Sequence, residues 1–217
     1  MLLETIKDFN KTISQNPDKT IGLVPTMGAL HQGHLSLIEQ AKNDCDRVVV
    51  SIFVNPTQFN DPNDLSQYPR TLSYDVEHIQ AIDKDIIIYA PSVDEVYPQT
   101  VKSQHYDFGP LSKYMEGKYR KGHFDGVATV LNRLFELLKP DKAYFGEKDY
   151  QQLAVVRKLV QLTNKNIEII GCETYRETNG LAKSSRNKLL DKDDKLKAGL
   201  IYKCLKLAKS NFNSKSV

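Results

Sequence analysis

Pro25-Thr26-Met27-Gly28-Ala29-Leu30-His31-Gln32-Gly33-His34 decides the reading of this chain. A short apolar run, Ile21 to Val24, precedes it, and a helical pattern of Leu35, Leu37, Ile38 and Ala41 follows it. Strand, tight glycine-containing turn and helix is the arrangement with which α/β proteins hold phosphates. The helix start offers unpaired N–H groups and the positive end of the helix dipole. Two imidazoles three residues apart, with no carboxylate between them, suit a developing negative charge better than a metal ion. The stretch therefore predicts chemistry on a nucleoside triphosphate.

Outward from it, strand-like runs alternate with helical patterns. The strands are expected at Ile21–Val24, Arg47–Val54, Ile86–Tyr89, Ala143–Phe145 and Ile167–Ile170. Val48 to Val54 is nearly continuous and rich in β-branched residues, as a strand covered on both faces of a parallel sheet must be. Helices are expected near 34–43, 71–83, 125–139 and 149–163. In the third, Val127, Val130, Leu131, Leu134 and Leu138 fall on one stripe, and Pro140 ends it. The alternation predicts βαβ units in a doubly wound, Rossmann-like parallel sheet. A last helix, about 192–208, carries a stripe of Leu200, Ile201, Cys204, Leu205 and Ala208, and Ser210 to Val217 read as a polar end without a core pattern.

At 217 residues the chain has room for one good-sized α/β domain, 1–187, followed by a basic helical segment, 188–217. It is 40% hydrophobic and 26% charged, ordinary for a globular protein. No apolar run approaches the roughly 20 residues of a membrane span, and Met1 to Asn10 lack the apolar region of a signal peptide. Cys45, Cys172 and Cys204 are far apart and odd in number, which reads as reduced thiols in the cytoplasm. Residues 183–217 hold ten Lys/Arg against three Asp, a net +7, so the rest is net −4. This tail reads as a solvated helix face, without the aromatic–basic interleaving that would support RNA binding.

Five further clusters carry chemistry. Gly146-Glu147-Lys148-Asp149-Tyr150-Gln151-Gln152 follows a strand, at the carboxyl edge where open α/β sheets place ligands. There Lys148 suits a phosphate, Asp149 a metal or ribose, and the glutamines a small polar substrate. Gly180-Leu181-Ala182-Lys183-Ser184-Ser185-Arg186-Asn187 sets hydroxyls between cations, a phosphate clamp able to close during reaction. In Ser51-Ile52-Phe53-Val54-Asn55-Pro56-Thr57-Gln58-Phe59 a buried strand ends in polar groups, and Asn55 and Gln58 are expected in the same crevice as His34. Tyr68-Pro69-Arg70 is followed by Asp75, a candidate Mg²⁺ contact. Glu116-Gly117-Lys118-Tyr119-Arg120-Lys121-Gly122-His123-Phe124 offers a carboxylate, an arginine and a histidine before a helix. His78 and His105 match no motif and are expected at the surface.

In this order the elements closely resemble the pantoate–β-alanine ligase family, within the HxGH nucleotidyltransferase superfamily. PTMGALHQGH, SIFVNPTQF, GHFDGVATV, YFGEKDYQQL and GLAKSSRN carry the resemblance, from about Ile21 to Asn187. It implies two steps. Pantoate attacks the α-phosphate of Mg-ATP to give pantoyl adenylate and pyrophosphate. The β-alanine amine then displaces AMP to give pantothenate.

The resemblance also implies roles. Met27, Gly28, Ala29, Leu30, His31, Gln32, Gly33 and His34 would cradle ATP, with His34 as a proton donor. Gly146, Glu147, Lys148 and Asp149 would bind the nucleotide, and Tyr175 would meet the base through its backbone. Lys183, Ser184, Ser185 and Arg186 would be the phosphate loop. Among these, His31, His34, Lys148, Ser184, Ser185 and Arg186 are the candidate catalytic groups. Gln58 and Gln152 would hold pantoate, with Pro25, Thr26, Met27, Asn55, Glu116, Arg120 and His123 as the remaining substrate-binding candidates. Asp75 would meet Mg²⁺. The expected cofactors are ATP and Mg²⁺. The expected assembly is a cytoplasmic homodimer, with no nucleic-acid or membrane partner.

The chain also departs from the pattern. Glu173-Thr174-Tyr175 stands where the family commonly has Pro-Thr-Val, and Lys183 where many members carry Met or Leu. Tyr74 precedes Asp75 where some members have a second acidic residue. The resemblance implies that most of a small C-terminal domain is missing. Two other readings stay open: a nucleotidylyltransferase of another small substrate, and a non-catalytic nucleotide- or RNA-binding module.

Overall fold

The computed structural model describes residues 1–214. β1 (Leu2–Leu3) leads into α1 (Ile6–Ile13), β2 (Ile21–Thr26), α2 (Gln32–Asp44) and β3 (Arg47–Ile52). Then come α3 (Pro62–Gln67), α4 (Leu72–Ile82), β4 (Ile87–Tyr89), α5 (Val93–Val96), α6 (Glu116–Tyr119) and α7 (His123–Leu138). β5 (Lys142–Gly146), α8 (Tyr150–Leu162), β6 (Glu168–Cys172) and α9 (Lys192–Ser214) complete the order. The strands form one parallel sheet in the order β1-β4-β3-β2-β5-β6. The chain winds outward in one direction from β2 and then in the other from β5. The switch point therefore falls between β2 and β5, where open sheets leave a crevice at the carboxyl ends of their strands.

Side chains alternate across the sheet and both faces are covered. Leu23, Val49, Ile87, Ala143 and Phe145 pack with Phe9 of α1 and with the apolar stripes of α7 and α8. Val24, Val48, Val50, Ile88 and Tyr144 pack on the other face with Leu35, Leu37, Ile38 and Ala41 of α2 and Ile79 of α4. Each such side chain taken from water contributes about 1.5–3 kcal/mol. The middles of the central strands are therefore apolar on both faces, which gives β3 its unbroken Val48-Val49-Val50.

The doubly wound sheet is as the sequence predicts, with different element ends. β2 runs on to Thr26, β3 stops at Ile52, and β5 and β6 each extend past the predicted run. β1 and α1 have no counterpart in the prediction. β1 is a two-residue edge pairing, Leu2 with Ile88 and Leu3 with Tyr89, too short for any periodicity to show. α7 begins after Gly122, in the left-handed region at φ 77°, and ends at Lys139, also left-handed, before Pro140.

α9 runs to Ser214, so the polar end expected from Ser210 is helical through 214; residues 215–217 of that expectation lie outside the described residues. Its apolar stripe does not pack as a core. Leu200, Ile201 and Leu205 are all more than half exposed. The helix is held instead through the turn 176–182. The Arg176 guanidinium lies 3.8 Å over the Tyr202 ring, and Asn179 Nδ2 donates to the Lys195 carbonyl at 2.9 Å. Among the described residues, no helix is long and apolar enough to cross a membrane.

Candidate active site

The turn after β2 is built by two successive left-handed residues, Gly28 (φ 80°) and Ala29 (φ 52°). Glycine adopts this freely; alanine there costs roughly 1–2 kcal/mol, so its surroundings must hold it. Asp75, fully buried in the first turn of α4, does so. It accepts from the Ala29 N–H at 3.0 Å and from the Leu30 N–H at 2.8 Å, and Thr71 Oγ1 donates to it at 3.1 Å. Asp75, expected to meet a metal, is thus held inside the fold with three of its roughly four acceptor sites engaged.

Beyond the turn the two histidines cap α2 reciprocally. The Gly33 N–H donates to His31 Nδ1 at 3.1 Å, and the His31 N–H donates to His34 Nδ1 at 3.3 Å. Their rings stack with centroids 4.1 Å apart. An Nδ1 that accepts an N–H carries no proton, which assigns the proton of each neutral ring to Nε2. Burial pushes the His34 pKa down to about 3, helped by His31 and Lys148. Burial also lowers that of His31. Both rings are thus neutral Nε2–H donors near pH 7. For His34 this differs from the proton donor implied by the resemblance: a neutral imidazole stabilises an anion by a hydrogen bond and keeps its proton.

Three connected crevices meet here. The first, about 200 Å³, lies between the histidines, Gly146, Lys148, Asp149, Glu173 to Tyr175 and Lys183 to Arg186. The second, also about 200 Å³, is bounded by Pro25, Thr26, Met27, His34, Asn55, Gln58, Tyr68 and Gln152. Its apolar wall is Phe53, Val127, Val130, Leu131, Leu134 and Phe145. The third, about 700 Å³, opens outward past Glu116, Arg120 and His123. Asp149 borders all three. A separate groove of about 450 Å³ between Val96–Gln104 and α7 touches none of the candidate site residues.

Several of the predicted residues have their polar groups engaged by the scaffold even where they border a crevice. Asn55 is 1% exposed, and its side chain is saturated. Its carbonyl accepts from the Thr57 N–H, the Thr57 hydroxyl and Tyr97 Oη, while its amide donates to Gln58 Oε1 and to the Gly126 carbonyl. Asn55 thereby fixes the 3₁₀ turn Pro56–Gln58 and turns the Gln58 amide so that Nε2 donates toward Met27 Sδ. Gln151, weighed with Gln152 as a substrate contact, instead bridges Leu111, Tyr114 and Glu116 backbone groups. Ala29, Leu30, Gln32 and Glu147 line none of the three crevices.

The cations of the site are paired with carboxylates of the same chain. Lys148 meets Asp149 at 2.8 Å, Arg186 meets Asp64 at 3.5 Å, and Lys183 meets Glu177 at 3.3 Å. Ser184 caps the 3₁₀ turn Ser185–Leu189, accepting from the Arg186 N–H. The Tyr175 carbonyl accepts from the Lys183 N–H. Glu116, Arg120 and His123 form a chain: Glu116 to Arg120 at 3.2 Å, Arg120 to His123 Nε2 at 3.1 Å, and His123 Nδ1 to the Gln58 carbonyl at 2.9 Å. Burial lowers the His123 pKa, so it is a neutral link. His78 and His105 lie outside the crevices, His78 against the Tyr74 carbonyl and His105 against Asp125.

Sequence reading missed the cavity's apolar wall and gave Tyr68 no role of its own. The α7 stripe signals burial equally well against a sheet or a cavity, so only the positions of its neighbours reveal the difference. Tyr68 borders both small crevices, and its only sequence signal was the Tyr-Pro-Arg run.

A doubly wound parallel sheet, with a double-histidine helix start and a basic loop at its switch point, defines a nucleotide-binding α/β protein of the nucleotidyltransferase superfamily. Within that class the chain belongs to the pantoate-beta-alanine ligase family, whose sequence model matches residues 1–217. It is 54% identical over 211 residues to a pantothenate synthetase of Flavobacterium psychrophilum, covering 97% of this chain and 74% of that protein. The fold superposes on the crystal structure of pantothenate synthetase from Thermus thermophilus with a TM-score of 0.85 and 43% identity, over 93% of this chain and 72% of that one. It also superposes on pantoate-beta-alanine ligase from Francisella tularensis complexed with beta-gamma ATP and beta-alanine. There the TM-score is 0.87 and the identity 42%, over 95% of this chain and 79% of that one.

Proposed function

We propose that this chain condenses pantoate with β-alanine at the expense of ATP, through a pantoyl-adenylate intermediate. One observation carries the reading. The neutral His31/His34 pair stands where a crevice rimmed by phosphate-type donors joins a small cavity with one apolar wall and two amides, Gln58 and Gln152. Family membership and the ATP and β-alanine bound to the Francisella relative support it.

The nucleotide would occupy the first crevice, with its phosphates near the α2 N-terminus, Lys148 and the Lys183–Arg186 loop. Pantoate would sit in the second, its apolar part against Val127, Val130, Leu131 and Leu134 and its polar groups on Gln58 and Gln152. A carboxylate oxygen then bonds to the α-phosphorus as the bond to pyrophosphate breaks. The Nε2–H donors stabilise the added charge without changing their own protonation. In the second step the β-alanine amine attacks the acyl carbon, AMP leaves, and the nitrogen gives up a proton. The outer crevice, with Arg120, is the route we assign to β-alanine.

Mg²⁺ enters this scheme as part of the substrate, Mg-ATP. Among the described residues no group of three His, Cys, Asp or Glu side chains could hold a metal ion, and Asp75 is engaged by the turn. The remaining parts of the reading rest on family membership. They are a cytoplasmic homodimer, a nucleotide- and pantoate-binding unit over 1–187, and a separate basic helical segment over 188–217.

The test is pyrophosphate release from Mg-ATP with pantoate, with and without β-alanine. Pantoate-dependent release, converted to AMP and pantothenate when β-alanine is added, supports the assignment. Release that ignores pantoate defeats it.

A further inference from the structure

Asp75 is the only carboxylate buried to 0% exposure among the described residues, and no lysine or arginine is paired with it there. Its charge is met by two backbone N–H groups, one hydroxyl and the first turn of α4. Thr71, the residue before that helix, makes no side-chain cap, and its hydroxyl turns to Asp75 instead. The partners are consecutive residues, Ala29 and Leu30, in the turn that needs two left-handed conformations. A Cβ placed on Gly28 would stand 3.0 Å from Asp75 Oδ2, so the carboxylate fills the concave side of the turn. The next residue is His31, which caps α2 and stacks on His34.

We propose that Asp75 is a positioning residue: it moulds the 28–30 turn and thereby sets the His31/His34 pair, and it binds no metal. This rests on the nucleotide-binding reading above. Three of the roughly four acceptor sites of the carboxylate are engaged and none of its surface is exposed, so a metal ion could reach Asp75 only by parting the turn from α4. A positioning role predicts that losing the carboxylate weakens nucleotide binding whether or not a divalent cation is present. A metal ligand predicts a loss only when the cation is present.

The experiment uses the full chain and measures ATP affinity twice, in EDTA and in Mg²⁺, for the wild type, Asp75→Asn and Thr71→Val. Asp75→Asn is expected to lose about tenfold in both conditions, the scale of one charge-assisted hydrogen bond. Thr71→Val is expected to lose a few-fold in both. KM for pantoate is expected to stay unchanged, because the second crevice keeps its amides and wall. The histidine ring resonances of Asp75→Asn should shift without nucleotide present, a readout that a loss of metal binding does not move. A loss confined to Mg²⁺, or no loss in either variant, overturns the proposal. If Asp75→Asn does not fold, Thr71→Val decides by the same criterion. A wild-type chain that binds no ATP overturns the functional reading and this inference with it, whereas a Mg²⁺-only loss overturns this inference alone.

Discussion

His31 and His34 lie stacked, 4.1 Å between ring centroids and 22° from parallel, and each Nδ1 accepts a backbone N–H of the α2 N-terminus. This one relationship fixes three properties together. It closes the start of the helix, it assigns both ring protons to Nε2, and it buries the rings, which keeps them neutral, with His31 adding to the effect on His34.

Replacing His34 by Gln keeps an oxygen that can accept the His31 N–H but exchanges the rigid, ring-held Nε2–H for the amide of a flexible chain, so the donor is no longer preorganised. The expected result is a fall of about 10² to 10³ in pyrophosphate release, the usual scale for losing one preorganised donor to a developing oxyanion. Melting at neutral pH should change little. Single-turnover assay with Mg-ATP and pantoate checks it, and a near-normal burst would remove His34 from the chemistry.

The depressed pKa values give stability a definite pH dependence. Between the ordinary value of 6.5 and about 3 the unfolded chain binds a proton on His34 that the folded chain does not. That contribution is fully present above pH 6.5 and is lost as pH falls toward 3. His31 and His123, also lowered, act with the same sign. The melting temperature should therefore drop as pH falls from 6.5 to about 4.5, and His34→Gln should flatten part of that slope.

Gln152 borders the second crevice and not the first. Gln152→Ala should raise KM for pantoate about tenfold, the worth of one or two modest hydrogen bonds, with ATP affinity unchanged. Equal weakening of both substrates would show that the two crevices are not separate sites.

Gly126 sits where α7 meets the turn Pro56–Gln58, and a Cβ there would collide with the Thr57 carbonyl. Backbone cannot yield as a side-chain tip does, so Gly126→Ala should destabilise by about 1–3 kcal/mol. It should also weaken pantoate, since the displaced turn carries Gln58. Denaturant unfolding together with pantoate KM would check both. A stable variant with normal KM would show that the turn tolerates the shift.

The doubly wound sheet was legible in the sequence because strands covered on both faces must be apolar throughout, as Val48 to Val50 are. Helices packed on such a sheet must show one apolar stripe, as α7 does. The histidine turn and the Lys148 segment were legible as crevice residues because each directly follows a strand whose end could be placed, and the Lys183–Arg186 loop was marked by hydroxyls set between cations. What the sequence could not settle was which polar groups face a cavity and which face the protein. Asn55, Gln151 and Asp75 are as polar as Gln58 and Gln152, yet they are consumed by backbone donors and acceptors brought from up to 71 residues away. The same holds for apolar groups. The α9 stripe of Leu200, Ile201 and Leu205 has the periodicity of a core and lies exposed, while Val127 and Leu131 wall a cavity. Periodicity and residue type are local properties and determine the elements. Whether a side chain is satisfied, exposed or free to bind is decided by its neighbours in space, and only the tertiary structure supplies those.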